Sequence, residues 1–156
     1  MSKSLRRVQR ALEEAGLQVE IRETDDSART AAGAAAAVGC QIDQIAKSII
    51  FRGAESGHVV LFLTAGGNRV DTEKATAVAG QNLGKADADL IRAETGFAIG
   101  GVAPVGHLRR IEAFLDPRLL EFDRVWAAAG TPRHVFAIAP VDLMRVTGAE
   151  QADFIA

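Results

Sequence analysis

The stretch that decides the fold is Ala46–Gly66, AKSIIFRGAESGHVVLFLTAG. It holds two runs rich in β-branched and aromatic residues, AKSIIFRG and HVVLFLTAG, around the polar, glycine-containing segment GAESG. Runs of this kind form strands, and so short a separation predicts a β-hairpin. We therefore expect a sheet that is built around these two strands.

Helical and strand patterns alternate before the hairpin. The apolar spacing in residues 2–16 predicts an amphipathic helix, and LQVEIRE, residues 17–23, alternates like a strand. The alanine-dense segment SARTAAGAAAAVG, residues 27–39, predicts a short buried helix with Ser27 or Thr30 as its cap.

More helices and strands follow the hairpin. Asp71 and Asp87 are expected to cap two helices that end at Gly80 and Gly96. Three strands, RRIEAFLD, FDRVWAAAG and RHVFAIAP, and a closing helix, PVDLMRVTG, come after them. Because hairpins mix with single helices without a strict βαβ rhythm, we predict an α+β fold with a mixed sheet, as a single domain over residues 1–156.

Composition argues against several classes of protein. The chain has 156 residues, with 18 Lys and Arg against 20 Asp and Glu, and one cysteine, Cys40. One cysteine forms no internal disulfide, and with three scattered histidines it lacks the spacing of a metal site. No apolar run approaches the ~20 residues that span a bilayer, and the charged N-terminus is unlike a signal peptide. We expect a soluble cytoplasmic protein without the basic excess of one that wraps nucleic acid.

The segment Gly96–Arg110, GFAIGGVAPVGHLRR, gathers glycines around Pro104. Glycine is tolerated where a backbone comes unusually close to another strand or to a ligand. Such a loop can present main-chain N–H groups of Gly100 and Gly101 to a carbonyl or oxyanion, and Pro104 fixes part of its shape. The alternative is a tight turn with a β-bulge. The segment lacks the G-x-G-x-x-G spacing of a dinucleotide-binding loop.

Lys47 is a candidate functional residue inside the first strand of the hairpin. Alternation places it on the same face as Ile45, Ile49 and Phe51. Because an unpaired buried ammonium is costly, a lysine on an apolar face reaches a cleft or an anion. The alternative is that its long stem carries the charge out to water at the strand entrance.

The segment AAAGTPRHVF, residues 127–136, holds a third candidate. Gly130 and Pro132 predict a turn, after which His134 enters a strand beside Phe136. His134 is therefore either a satisfied core residue or part of a site.

Four ordered blocks carry a resemblance to a known family. QIAKSIIFR, RVDTEKATAVAG, ETGFAIGGVAPVGH and AAAGTPRHVF, with these separations, resemble the YbaK/prolyl-tRNA synthetase-associated editing domain family. The resemblance runs from about Arg29 to Gly148. It implies a mostly antiparallel, barrel-like sheet with flanking helices.

The resemblance also implies an activity and a set of site residues. Family members hydrolyse the ester that joins a wrong, small amino acid to tRNA, so we expect a metal-independent deacylase that acts in trans and needs no cofactor. Lys47 matches the family's lysine, Gly100 to Pro104 its G-x-x-x-P loop, and His134 its pocket histidine. The implied catalytic residues are Lys47, Gly100 and Gly101. The implied substrate-binding residues are Thr30, Pro104, Gly130 and His134.

The same resemblance implies partners. We expect contact with the acceptor end of aminoacyl-tRNA, and transient contact with prolyl-tRNA synthetase or an elongation factor, but no membrane or DNA. A basic stripe on the first helix, Lys3, Arg6, Arg7 and Arg10, is typical of a solvated face, with contact to acceptor-stem phosphates as the alternative. The rival function is a non-catalytic module that binds a small ligand or a nucleic-acid end. The amino acid removed (alanine, cysteine, serine or threonine, or 2-aminobutyrate), the tRNA (tRNA-Pro or a related one) and the oligomeric state stay open.

Overall fold

The structure, a computed structural model, describes residues 2–156, and Met1, the first residue of the expected domain, lies outside them. The α-helices of this part of the chain are α1 (Lys3–Glu14), α2 (Ala31–Val38), α3 (Thr72–Ala79), α4 (Ala88–Thr95) and α5 (Pro140–Thr147). The strands are β1 (Ile21–Glu23), β2 (Ile45–Gly53), β3 (Val59–Ala65), β4 (Leu83–Lys85), β5 (Glu112–Leu115), β6 (Val125–Ala128), β7 (His134–Ile138) and β8 (Glu150–Gln151).

The strands form one mixed sheet in the order β1-β7-β6-β2-β3-β5-β8, with β4 also paired to β2. Strands β1 and β7, β6 and β7, β2 and β3, and β2 and β4 pair antiparallel. Strands β2 and β6, β3 and β5, and β5 and β8 pair parallel. The α+β fold with a mixed, mostly antiparallel sheet is thus confirmed. The sheet is open, with β1 and β8 at its ends, so the barrel-like closure implied by the resemblance is absent.

The predicted hairpin is confirmed, and it forms the centre of the sheet. Strands β2 and β3 pair in register from Ala46 opposite Ala65 to Arg52 opposite Val59. Strand β1 is shorter than predicted, because the ladder with β7 begins only at Ile21. Strands β4 and β8, of three and two residues, are too short to have given a periodic signal.

Apolar clusters cover both faces of the sheet. The largest packs the buried face of α1 (Leu5, Val8, Leu12) against β3, β5 and β7. The opposite face carries a cluster of α2 alanines with Trp126 and a separate aromatic cluster around Phe62. The short helix predicted here is present, but only Ala34 and Ala35 of α2 are buried, so the helix is buried in part. This helix covers the sheet with one face and leaves the other to solvent.

Polar side chains begin the helices as the sequence predicted. Asp71 Oδ1 accepts hydrogen bonds from the N–H groups of Glu73 and Lys74 at the start of α3, and Asp87 Oδ1 accepts one from Leu90 in α4. These side chains satisfy N–H groups that have no partner within the helix. In residues 2–156, no helix has the length and hydrophobicity needed to cross a membrane.

Candidate active site

A gap in the sheet lies along one edge of β2. Strand β6 pairs with β2 at Ile45 and Ala46, whereas β4 pairs with it at Phe51–Gly53. Within the described part of the chain, no strand pairs with residues 47–50 on this side. A cavity of about 460 Å³ occupies the gap, which is within the usual range for small-molecule sites.

The cavity walls are mostly apolar and come from both faces of the sheet. Trp126 and Val135 lie in the wall on the α2 side, and Ile91 of α4 and Val102 lie in the opposite wall. The polar side chains that line the cavity are those of Arg29, Thr30, Lys47 and Ser48. No histidine, cysteine or carboxylate lies among its described lining residues. The site therefore offers donors and two cations, Arg29 and Lys47, rather than a catalytic dyad.

Lys47 lies on the cavity wall, which is the first of the two alternatives that the sequence left open. Its Nζ donates a hydrogen bond to the main-chain carbonyl of Asn68 at 2.7 Å. Burial lowers the pKa of Lys47 below its ordinary value, the charge of Arg69 lowers it further, and Asp116 and Asp43 act in the opposite direction. The side chain is half-buried, so neither a fully exposed nor a core lysine describes it.

Two carboxylates hold the turn that receives Lys47, and sequence reasoning missed both. Buried Asp116 accepts hydrogen bonds at Oδ2 from the Ala65 N–H at 3.0 Å and from Asn68 Nδ2 at 2.9 Å. Asp43 Oδ1 accepts one from the Gly67 N–H at 2.8 Å. Because these bonds join residues 24 to 51 positions apart, no local pattern marks them. They fix the carbonyl that orients Lys47.

Thr30 lines the cavity, but its hydroxyl already has a structural partner. Its Oγ1 accepts a hydrogen bond from the Gly33 N–H at 3.0 Å and thereby caps α2. Thr30 therefore contributes a wall at the start of α2, next to Arg29, which also lines the cavity.

The glycine-rich segment forms a turn at the cavity. The Gly101 N–H donates to the Ala98 carbonyl at 3.1 Å, which closes a four-residue turn. Gly100, its third residue, has φ +93°, a value that favours glycine in a type II turn. Gly100 lines the cavity, and a Cβ added to it would meet no atom within 4 Å.

Gly101 has a different environment from Gly100. A Cβ at Gly101 would lie 2.8 Å from the Cα and carbonyl carbon of Thr131. Gly101 thus allows two main-chain segments to approach closely, and it is absent from the cavity lining. Its N–H is bonded to Ala98 in this conformation, so Gly100 is the better placed of the two to face a ligand.

Arg7 joins the two ends of the glycine-rich segment. Its Nε donates to the Gly106 carbonyl at 2.7 Å, and its Nη2 donates to the Gly96 carbonyl at 2.8 Å. The guanidinium also lies 4.5 Å from the centroid of the Phe97 ring. Arg7 is therefore not part of the predicted basic stripe on the surface of α1, because its guanidinium binds main-chain carbonyls of the protein itself.

The remaining predicted site residues do not line the cavity. Pro104 is buried near α1 and α5. Gly130, at φ +98°, allows a close approach to α1, since a Cβ there would lie 2.9 Å from the Ser4 carbonyl oxygen. His134 begins β7, and its Nδ1 lies 2.6 Å from Thr131 Oγ1. The structure thus gathers Lys47, Gly100 and Thr30 at the cavity, and it places both Gly101 and His134 next to Thr131.

The chain is similar to several known proteins. The model of the aminoacyl-tRNA editing domain family matches residues 25–146. The chain is 32% identical over 124 residues to YwhH of Bacillus subtilis (strain 168), an uncharacterized protein, with 80% of this chain and 78% of YwhH covered.

Two solved structures extend the likeness over nearly the whole chain. One is a proposed trans-editing enzyme for prolyl tRNA synthetase, with 47% identity, a TM-score of 0.93 and coverage of 100% of this chain and 99% of that one. The other is a hypothetical protein, with 27% identity, a TM-score of 0.86 and coverage of 96% and 99%. Since the family model spans well over half of the chain, the protein belongs to the aminoacyl-tRNA editing domain family.

Proposed function

We propose that this protein is an aminoacyl-tRNA deacylase that acts in trans on a small amino acid wrongly attached to tRNA. Membership of the editing domain family supports hydrolysis of that ester. The observation that carries the proposal is the cavity at the gap in the sheet, with Lys47 and Gly100 on its walls. It combines an apolar enclosure with two cations, Lys47 and Arg29, and an exposed turn.

In the proposed reaction, water attacks the ester carbonyl. The water oxygen bonds to the carbonyl carbon, the carbon–oxygen bond to the ribose breaks, and the ribose oxygen gains a proton. Because no histidine or carboxylate is among the described lining residues, we propose that the substrate supplies the base, through its ribose 2′-hydroxyl or its side chain. The protein contributes position and donors for the developing oxyanion.

The roles of the side chains follow from their places. We propose that Lys47 binds the phosphate or ribose of the terminal nucleotide and that Gly100 faces the aminoacyl group. Gly101 and His134 then act through the Thr131 turn, and Thr30 forms part of the pocket wall. Pro104 and Gly130 shape the loops behind the site.

We further propose that the reaction needs no metal. The described lining residues lack the imidazole, thiolate and carboxylate groups that bind zinc or magnesium. Deacylation measured after treatment with EDTA, and again after zinc or magnesium is added back, tests this point. A loss of activity that either metal restores would contradict it.

Prolyl-tRNA synthetase is the source of error that we propose this protein corrects. A relative at 47% identity is a proposed trans-editing enzyme for that synthetase. A synthetase gains only ~1–3 kcal/mol per methylene, so smaller amino acids escape its selection. Because aminoacyl-tRNA is its proposed substrate, we also propose that the protein acts in the cytoplasm.

The test is deacylation of tRNA-Pro carrying alanine, cysteine or serine, with correctly charged Pro-tRNA-Pro as the matched control. We expect turnover of at least one mischarged species and protection of the correct one. Binding of all of them without turnover would support the non-catalytic module instead. Equal hydrolysis of Pro-tRNA-Pro would contradict an editing role.

A further inference from the structure

The open edge of β2 presents main-chain groups to the cavity. The Gly53 N–H donates to the His58 carbonyl on the β3 side, whereas the Ala54 N–H donates to Asn82 on the other side. Because main-chain groups of successive residues in a strand point in opposite directions, the even-numbered residues face away from β3. On β3, Val59 lies opposite Arg52 and Ala65 lies opposite Ala46. The N–H groups of Val59 and Ala65 point away from β2 and donate to carboxylates, as this alternation requires.

Ser48 and Ile50 are the even-numbered residues within the gap. Both line the cavity, and neither has a partner strand on this edge within residues 2–156. In a parallel sheet, the carbonyl of one residue and the N–H of the residue two positions later bind the N–H and the carbonyl of one residue in the neighbouring strand. The Ser48 carbonyl and the Ile50 N–H therefore form an acceptor and a donor that lie side by side on the open edge and can pair with a neighbouring donor and acceptor.

The walls around this pair suit a flat ring. The cavity has apolar residues from both faces of the sheet, Trp126 and Ala34 on one face and Ile91 and Val102 on the other. A planar group that lies in the gap, in line with the sheet, meets hydrogen-bonding groups at its edge and apolar side chains on its faces. This combination reads a base by its Watson–Crick edge.

We propose that the open edge of β2 binds the adenine of the 3′-terminal nucleotide of tRNA. The N6 amino group donates to the Ser48 carbonyl, and N1 accepts from the Ile50 N–H. Lys47, the residue before Ser48 in the chain, has its side chain at the cavity for the phosphate or ribose. This inference rests on the proposed function, because that nucleotide carries the ester.

Titration of the ¹⁵N-labelled protein with AMP tests the site without any catalysis. We expect the amide resonances of Ser48 and Ile50 to shift, with the Ile50 amide moving downfield as its hydrogen bond forms. Analogues then identify the contacts. Purine riboside 5′-monophosphate lacks the N6 amino group and 1-deaza-AMP lacks N1, and we expect each to bind about tenfold more weakly than AMP.

The matched control is 7-deaza-AMP, which keeps the Watson–Crick edge and changes only the opposite edge of the ring. It should bind within about twofold of AMP, because N7 has no proposed partner. Unchanged Ser48 and Ile50 amides at saturating AMP would overturn the proposal, as would equal affinity for AMP and 1-deaza-AMP.

A second arm separates a tRNA end from a free nucleotide. Mischarged tRNA with purine riboside as its last nucleoside should show kcat/KM about tenfold below that of the adenosine form. An unchanged kcat/KM would overturn the assignment to tRNA even if AMP binds. Active deacylation without AMP shifts would overturn the adenine site alone, whereas AMP shifts without deacylation would overturn only the proposed function.

Discussion

Replacement of Arg7 by alanine tests how the glycine-rich segment is held against the fold. The change removes both hydrogen bonds from the guanidinium to the Gly96 and Gly106 carbonyls and its contact with Phe97. No other side chain of residues 2–156 binds either carbonyl. The segment between them, which contains Gly100, then loses the connection that joins its two ends.

The magnitude follows from these contacts. A hydrogen bond from a charged group contributes roughly 1.5–3 kcal/mol, and partial exposure of Arg7 favours the lower figure. The contact with Phe97 adds ~0.5–1 kcal/mol. We therefore expect Arg7→Ala to lower the free energy of unfolding by about 3–4 kcal/mol and Tm by roughly 6–16 °C. Arg7→Lys should lose about half as much, because an ammonium replaces the planar fork by a single point donor.

Two assays separate stability from position. Urea unfolding gives the free energy, and hydrogen exchange at the Gly101 amide reports the turn that Gly100 belongs to. Exchange at Gly101 should become faster in Arg7→Ala. Well below Tm, kcat for deacylation should fall about tenfold with little change in KM, since a misplaced turn weakens the transition state more than binding.

The matched control is Arg6→Ala, which removes the same charge from an exposed position on α1. It should leave the free energy of unfolding within about 0.5 kcal/mol and the exchange of Gly101 unaltered. If Arg7→Ala unfolds at the same urea concentration as Arg6→Ala, the two bonds to the segment carry no net stability. If Gly101 exchange is also unchanged, Arg7 does not position the turn.

Three further predictions concern the cavity and the opposite end of β3. Lys47→Ala should keep the wild-type far-UV spectrum but lose roughly a hundredfold in kcat/KM on mischarged tRNA, and near-wild-type turnover would exclude Lys47 from the site. Gly101→Ala should lower Tm, because its Cβ would lie 2.8 Å from Thr131; kcat/KM should also fall at least about tenfold, and a destabilised but fully active enzyme would mean that this glycine serves the fold alone. Burial raises the pKa of Glu94, but hydrogen bonds from His58 and Val59 outweigh it and lower the pKa below 4.5. The stability that Glu94 contributes is then complete above pH 4.5 and is lost as pH falls through the lower folded pKa. In Glu94→Gln, the free energy of unfolding measured in urea should therefore depend less on pH over that range.

Local signals in the sequence accounted for the elements of the fold. The hairpin followed from two apolar runs and a short polar turn, and the helix starts at Asp71 and Asp87 followed from side chains that bind N–H groups a few residues away. These interactions operate over two to six residues, so a short window of sequence contains both partners. Strand β1 was predicted too long because its ends depend on β7, more than a hundred residues away.

The candidate site was predicted only in part, for the same reason. Lys47 could be found because alternation along one strand sets the direction of its side chain. Asp116 could not, because the turn that it supports lies about fifty residues earlier in the chain. Pro104 and Gly130 carried the family motifs, yet they shape loops away from the cavity.

The sequence by itself determined which segments become strands and helices, where most helices begin and end, and that Lys47 faces an apolar side of β2. Only the tertiary structure decided that β6 and β4 pair with different ends of β2 and leave a gap at residues 47–50. It also decided that Arg7 binds two glycine carbonyls and that Gly101 meets Thr131. Backbone propensity and side-chain periodicity act between near neighbours in the chain, whereas strand order and close main-chain contacts depend on how the whole core packs.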